Sequence, residues 1–106
     1  MSWMFKDCRA LIRLDLNHFD TSNVKYMDCM FEKCYKLKEL KIDKWDTSNA
    51  IYMRHIFKDC YNLFILDIDN WDVKNAIKTG FGNYTGIVGM FNGCKSLRNY
   101  PYWYSR

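Results

Sequence analysis

Proline and glycine are scarce in this 106-residue chain, which has one proline and five glycines. This scarcity argues against a collagen-like or low-complexity disordered chain, because such chains are rich in one or both residues. Long apolar runs are missing too, since no uncharged apolar stretch approaches the roughly 20 residues that a membrane-spanning helix needs. Apolar residues still make up 49% of the chain and aromatic residues 18%, which is enough to fill the core of one domain.

A recognisable export signal is also absent, because Lys6 and Asp7 interrupt the short apolar start. We therefore expect a soluble protein of the cytoplasm that does not use a membrane. The count of five cysteines agrees with this expectation, since an odd number is awkward for a disulfide framework.

Acidic residues are missing from the last third of the chain. Residues 1–72 hold 11 Lys and Arg together with all 12 Asp and Glu, whereas residues 73–106 hold five cations and no acid. This third should attract an acidic surface or a phosphate backbone. Its cations are Lys74, Lys78, Lys95, Arg98 and Arg106.

The main feature that the chain does contain is a repeat. The pattern of residues 30–49 recurs 26 residues earlier and 26 residues later, and a fourth, truncated copy is displaced by 34 residues. A fixed period of this size is typical of stacked arrays, in which each unit buries its apolar face against its neighbours. We predict a single domain over residues 1–106, with copies that start near Met4, Met30, Ile56 and Met90.

Each copy is predicted to contain one helix. The apolar residues of 24–34 have helical spacing, and the Asp-Thr-Ser-Asn run at 20–23 before them could cap the first helical turn. The same motif at 46–49 predicts a second helix from Ala50 to about Lys58. The third motif, at 72–75, has lost both hydroxyls and predicts a weaker cap.

Each copy is also predicted to contain a short strand. Leucine and isoleucine alternate at the end of residues 11–16, 37–42 and 63–68, and stacking identical units would make these strands parallel. The shared cysteine position of the four copies predicts a ladder of small buried side chains. Its members are Cys8, Cys34, Cys60 and Cys94.

These motifs resemble one branch of the leucine-rich repeats. The L-x-x-L-x-L core, combined with Met-Phe, Cys, an aromatic residue and Asp-Thr-Ser-Asn in one 26-residue unit, is similar to the BspA-like bacterial surface proteins. The resemblance implies an α/β repeat solenoid, a short arc with parallel strands on one face and short helices on the other. It also implies binding of other macromolecules without catalytic residues. The family commonly forms long arrays on secreted or lipid-anchored surface proteins, and this chain departs from that in length and in lacking an export signal.

The repeat is interrupted at two places. Eight additional residues lie near 79–86, and all five glycines lie between 80 and 93, which predicts a surface loop beside the binding face. At the other place, Tyr100 and Tyr102 take inward strand positions and are expected to cap the core. Trp103 and Tyr104 have no inward position and are therefore candidate contacts for a partner.

The outward strand positions form rows of charge across the predicted sheet. Arg13 should lie beside Glu39, and Lys41 should lie between Asp15 and Asp67, as opposite-charge neighbours. These rows can be read as a self-paired solvated face or as an acidic patch for a basic partner. Our candidate partner-binding residues are Asp43, Asp67, Asp69, Phe81, Tyr84, Arg98, Trp103 and Tyr104.

Catalysis and cofactor binding find little support in the sequence. The open arc offers no desolvated cleft that would separate the pKa values of two carboxyl groups. Cys29 and His55 occupy equivalent positions in adjacent copies, but two ligands are too few for a structural zinc site. We therefore expect no enzymatic activity, no cofactor and no metal.

The leading hypothesis is a small protein-binding module, either an inhibitor or an adaptor that acts inside the cell. A phage-encoded inhibitor of bacterial defence, such as an anti-CRISPR protein, is one concrete version, suggested by the small size and the missing export signal. Nucleic-acid binding through the basic, aromatic C-terminal third is the second class. A fragment of a bacterial surface adhesin is the third. We expect a monomer, and pairing of open strand edges into a dimer stays open.

Overall fold

The computed structural model describes residues 1–82 and 84–104, so Arg106, counted above among the cations, lies outside the described residues. The first three strands form a parallel sheet in chain order, and the last two form an antiparallel hairpin. The elements of this part of the chain are β1 (Arg13–Asp15), β2 (Glu39–Lys41), β3 (Ile65–Leu66), α1 (Lys74–Lys78), β4 (Gly80–Phe81) and β5 (Tyr84–Thr85).

The parallel sheet pairs equivalent residues of successive copies. Leu14 pairs with Leu40, and Leu40 pairs with Leu66, at the 26-residue displacement of the repeat. Leu40 is buried, and the other two leucines pack against the core. The apolar face fixes this register, because a slip of one residue would turn every leucine to solvent. The predicted strands therefore form, although they are only two or three residues long.

The segments predicted as helices form consecutive turns instead. The N–H of Cys34 donates to the carbonyl of Phe31 at 3.2 Å, three residues back and not four. Cys29 and Lys33 have φ angles of 58° and 62°, whereas an α-helix needs a negative φ throughout. The same two positions are left-handed in every copy, at Trp3 and Asp7, His55 and Asp59, and Gly89 and Gly93. The helix predictions for residues 24–34 and 50–58 are therefore wrong.

Hydrogen bonds between copies take the place of the expected helical ones. Alternate N–H groups of one turn segment donate to carbonyls of the next copy, as neighbouring strands of a sheet do. In the second and third copies the pairs are Cys29 with Arg54, Phe31 with Ile56, and Lys33 with Lys58, at 2.8 to 3.0 Å. The copies are thus joined along this side as well as through the sheet.

The Asp-Thr-Ser-Asn motif joins copies and does not cap helices. Asp46 Oδ1 accepts both the N–H and the hydroxyl of Ser48, at 3.0 and 2.6 Å, which closes a local turn. Thr47 Oγ1 donates to the carbonyl of Asp72 in the next copy, and Asn49 Nδ2 donates to the carbonyl of Ser22 in the preceding one. In the described residues the only helix, α1, follows the motif that lost its hydroxyls, and its N-cap residue Val73 makes no side-chain capping bond. Asp72 Oδ1 accepts the N–H of Lys74 at 3.1 Å instead.

Rings at equivalent positions stack through the core. Phe31 lies between Phe5 and Phe57, with ring centroids 5.5 and 5.9 Å away, and Phe57 stacks in turn on Phe91. Trp45 and Trp71 stack at 6.2 Å with their planes nearly parallel. The 26-residue repeat thus produces columns of like side chains, which maximises ring contact across the copies.

The predicted cysteine ladder is present. Cys34, Cys60 and Cys94 are buried, and each thiol donates to a phenylalanine carbonyl of the preceding copy at 3.0 to 3.1 Å. Burial raises the pKa of Cys94 to about 12, so its thiol keeps the proton that this hydrogen bond needs. Cys8 is partly buried against the core.

Candidate interaction surfaces

The inserted residues form an exposed aromatic hairpin. Phe81 on β4 pairs with Tyr84 on β5, which makes the two rings cross-strand neighbours. Phe81 is 90% exposed and Tyr84 is 79% exposed. A hairpin with two such rings presents a large apolar area that the protein itself does not cover.

Two glycines fix where this hairpin leaves the stack. Gly80 has a φ of 87°, and a side chain there would collide with the carbonyl of Tyr84. Gly86 is buried, its N–H donates to the carbonyl of Ala76 at 2.9 Å, and a side chain would collide with the carbonyl of Ile51. Its own carbonyl accepts the N–H of Met53 at 2.6 Å, so the hairpin base belongs to the ladder between copies.

A cleft of about 380 Å³ lies beside Tyr84, and Trp3, Arg54 and His55 contribute to its lining. Arg54 Nη2 lies 2.7 Å from Asp28 Oδ2, and this hydrogen-bonded carboxylate raises the pKa of Arg54. We call Trp3, Arg54, Phe81 and Tyr84 the hairpin surface. Sequence reasoning missed Trp3 and Arg54, although aligning the copies would have placed Trp3 in one row with Cys29 and His55.

Cys29 and His55 both line this cleft. His55 Nδ1 is buried and has no hydrogen-bond partner among the described residues. Over the same residues, no group of three or more His, Cys, Asp and Glu side chains is placed to share a metal ion.

Two of the predicted acidic residues share a cleft at the end of the sheet. Asp67 and Asp69 line a space of about 430 Å³ together with Asn99, Tyr100 and Pro101. Asp67 Oδ1 accepts the N–H of Asp69 at 3.2 Å, which sets the turn after β3.

Asp43 is held by the preceding copy. Its Oδ1 accepts a hydrogen bond from Asn17 Nδ2 at 2.9 Å, and this bond lowers the pKa of Asp43. The amide oxygen of Asn17 in turn accepts the N–H of Lys44 at 3.0 Å. Asp43 therefore has a structural contact with the residue at the equivalent position of the preceding copy.

The predicted charge rows form only in part. Arg13 Nε lies 3.6 Å from Glu39 Oε1, as the row predicted. Lys41 pairs in register with Asp15, but it has no carboxylate within 4.0 Å among residues 1–82 and 84–104. An exposed pair of this kind contributes little, typically below about 1 kcal/mol.

The aromatic C-terminus differs from its predicted arrangement. Trp103 Nε1 donates to the carbonyl of Ile68 at 3.1 Å, so Trp103 has a core contact. Tyr104 packs edge-on against Phe91 at 4.8 Å. Tyr102, predicted to cap the core, is 83% exposed. The assignment of inward and outward rings at residues 102–104 was therefore wrong, because it kept the 34-residue displacement to the end of the chain.

Arg98 does not line the cleft of Asp67 and Asp69 but contributes to a different cleft. That cleft has a volume of about 380 Å³, and the residues around it are Lys38, Asn62, Phe64, Lys95, Ser96 and Arg98. Sequence reasoning missed Lys38 and Phe64, although Lys38, Phe64 and Arg98 hold equivalent positions in three successive copies.

In the part of the chain that the structure describes, no helix is long and apolar enough to cross a membrane. No curated protein and no solved structure matches the chain. One family model does match, and it extends over residues 1–103, almost the whole chain. The chain therefore belongs to the family described as Mycoplasma protein of unknown function, DUF285.

Proposed function

We propose that this chain is a non-enzymatic protein-binding module and that the hairpin surface contacts the partner. The observation that carries this proposal is the exposure of Phe81 and Tyr84 side by side on a hairpin whose base is held in the stack. Rings so exposed gain free energy when a partner covers them, at about 25 cal/mol per Å² of apolar area.

The residue types of the hairpin surface support the same proposal. Trp, Tyr and Arg are the side chains that most often dominate the binding energy of protein interfaces. Trp3, Tyr84 and Arg54 line one cleft, and the salt bridge to Asp28 holds the Arg54 guanidinium in place. Such a preorganised surface loses less side-chain entropy on binding than a flexible one.

Affinity capture from a lysate of the source cell tests this proposal. The double variant Phe81→Ala with Tyr84→Ala should lose a protein that the wild-type chain retains, with a loss of binding free energy of about 2 kcal/mol or more. Tyr102→Ala is the matched control, because it removes an equally exposed ring elsewhere. Equal capture by all three chains at unchanged melting temperature would refute the proposal.

The architecture and the finer function remain proposals of their own. The ladder at 26-residue displacement supports a short stacked array of the BspA-like leucine-rich-repeat type, with turns in place of the helices expected from sequence. Cell fractionation and gene neighbourhood distinguish three finer functions. These are an inhibitor or adaptor in the cytoplasm, an anti-CRISPR protein and a surface adhesin fragment. Recovery of the native protein on the cell surface would favour the adhesin and exclude the other two.

A further inference from the structure

Four short segments that are distant in sequence form one basic corner of the molecule. We define the basic corner as residues 9–12, 35–38, 61–64 and 95–98, which hold equivalent positions in the four copies. Backbone and side-chain hydrogen bonds join them in order. Lys38 N donates to the Ile12 carbonyl at 2.7 Å, Phe64 N donates to the Lys38 carbonyl at 3.0 Å, and Ser96 Oγ donates to the Tyr61 carbonyl at 2.8 Å.

The charge of this corner is of one sign. Its four segments contain five cations and no acidic residue. Four of these cations, Lys36, Lys38, Lys95 and Arg98, have no carboxylate within 4.0 Å in the described part of the chain. These four cations come from the second and fourth copies, so stacking the copies brings together positive charge that is separated in sequence.

Aromatic rings are interleaved with the cations. Tyr35 and Tyr61 stack at 5.0 Å, with Arg9 above the outer face of Tyr35 and Lys95 above that of Tyr61. Phe64, three residues after Tyr61, is 55% exposed and lines the cleft of about 380 Å³ together with Lys38 and Arg98. Phe64 thus offers a ring face beside two unpaired cations.

We propose that the basic corner binds single-stranded nucleic acid. Phosphates would contact Lys38, Lys95 and Arg98, and an unstacked base would lie against Phe64. Cations that follow a backbone, combined with rings on which bases stack, are how proteins hold single strands without reading sequence. A duplex hides its base faces and cannot use Phe64, and an acidic protein would gain from the cations but not from a stacking platform. The site therefore favours the single strand.

This corner differs from the nucleic-acid surface predicted from the C-terminal third. It takes Lys36 and Lys38 from the second copy and Phe64 from the third, and it leaves out Lys74 and Lys78 of α1. The two sets of cations can therefore be compared directly by substitution.

Fluorescence anisotropy with a labelled 15-nucleotide oligo(dT), at several salt concentrations, tests the proposal on the full chain. Lys38→Gln with Arg98→Gln should weaken binding about tenfold or more and reduce the slope of log affinity against log salt by about 1.4, since each phosphate contact on a single strand contributes about 0.7. Phe64→Ala should weaken binding about tenfold with the slope unchanged, because stacking releases no counterions. Lys74→Gln with Lys78→Gln, equal in charge change, should leave both quantities nearly unaltered.

Three results would overturn the proposal. The first is no saturable binding of oligo(dT) at low salt. The second is equal weakening by the α1 variant, which would mean that net charge alone attracts the oligonucleotide. The third is that Phe64→Ala has no effect while heparin and duplex DNA bind as tightly as oligo(dT), which would identify a general polyanion patch. Melting temperatures of all variants show that each chain is folded in the assay.

Discussion

The indole Nε1 of Trp103 donates to the backbone carbonyl of Ile68 at 3.1 Å. Trp45 makes the same bond to Leu16, and Trp71 makes it to Ile42. In those two cases the donor lies 29 residues after the acceptor, whereas Trp103 lies 35 residues after Ile68. Trp103 therefore repeats the hydrogen bond of the two core tryptophans and packs, partly buried, against the core. It does not have the outward position that the sequence predicted.

Replacing Trp103 by phenylalanine tests this structural role. A smaller aromatic ring remains, and the carbonyl of buried Ile68 loses the indole N–H and keeps only the backbone N–H of Trp71, so the free energy of unfolding should fall by about 1 kcal/mol. Urea denaturation measures the change, and Tyr102→Phe serves as the control because Tyr102 is exposed. An unchanged urea midpoint for Trp103→Phe would show that the hydrogen bond contributes no stability.

Leu40 is the central residue of the three-stranded sheet, and it is buried between Leu14 and Leu66. Leu40→Ala should lower the free energy of unfolding by about 2–5 kcal/mol, because the leucine contacts are lost and a cavity remains. Lys41→Ala on the same strand is the control and should change stability by less than about 0.5 kcal/mol. Similar losses for both variants in thermal denaturation would contradict the observed packing.

The stability of the protein should decrease as the pH falls through the titration range of Asp20 and Asp46. Hydrogen bonds from Ser22 and Ser48 lower the pKa of these carboxyl groups in the folded chain. A carboxyl group whose pKa is lower in the folded than in the unfolded state stabilises the fold at pH values above its unfolded pKa, which is about 3.9 for Asp. This contribution is lost as the pH falls from there through the folded pKa.

The double variant Asp20→Asn with Asp46→Asn isolates this effect, because its amide oxygens still accept the turn hydrogen bonds but do not titrate. Between pH 5 and pH 3, its free energy of unfolding should decrease less steeply than that of the wild type, as measured by urea denaturation at each pH. Parallel curves for the two proteins would mean that these turns do not contribute to acid sensitivity.

The repeat could be read directly from the residues. Cys34, Cys60 and Cys94 recur at matching places, and their burial in one ladder follows from that recurrence. The register of the parallel strands was equally predictable, because only one alignment of the copies places every leucine inward. Exposure of Phe81 and Tyr84 followed from their place in an insertion.

The turn segments could not be predicted in the same way. Inward residues such as Met27, Met30 and Cys34 are spaced by three or four, and a series of tight turns produces this spacing as readily as a helix. In a helix the backbone N–H groups would donate to carbonyls of the same segment. In the turns, alternate N–H groups donate to carbonyls that the next copy supplies. The sequence by itself therefore determined the period, the inward residues and the strand pairing. Only the tertiary structure decided between helix and turns, collected the cations of the basic corner and packed Trp103 against the core, because each of these depends on contacts between copies.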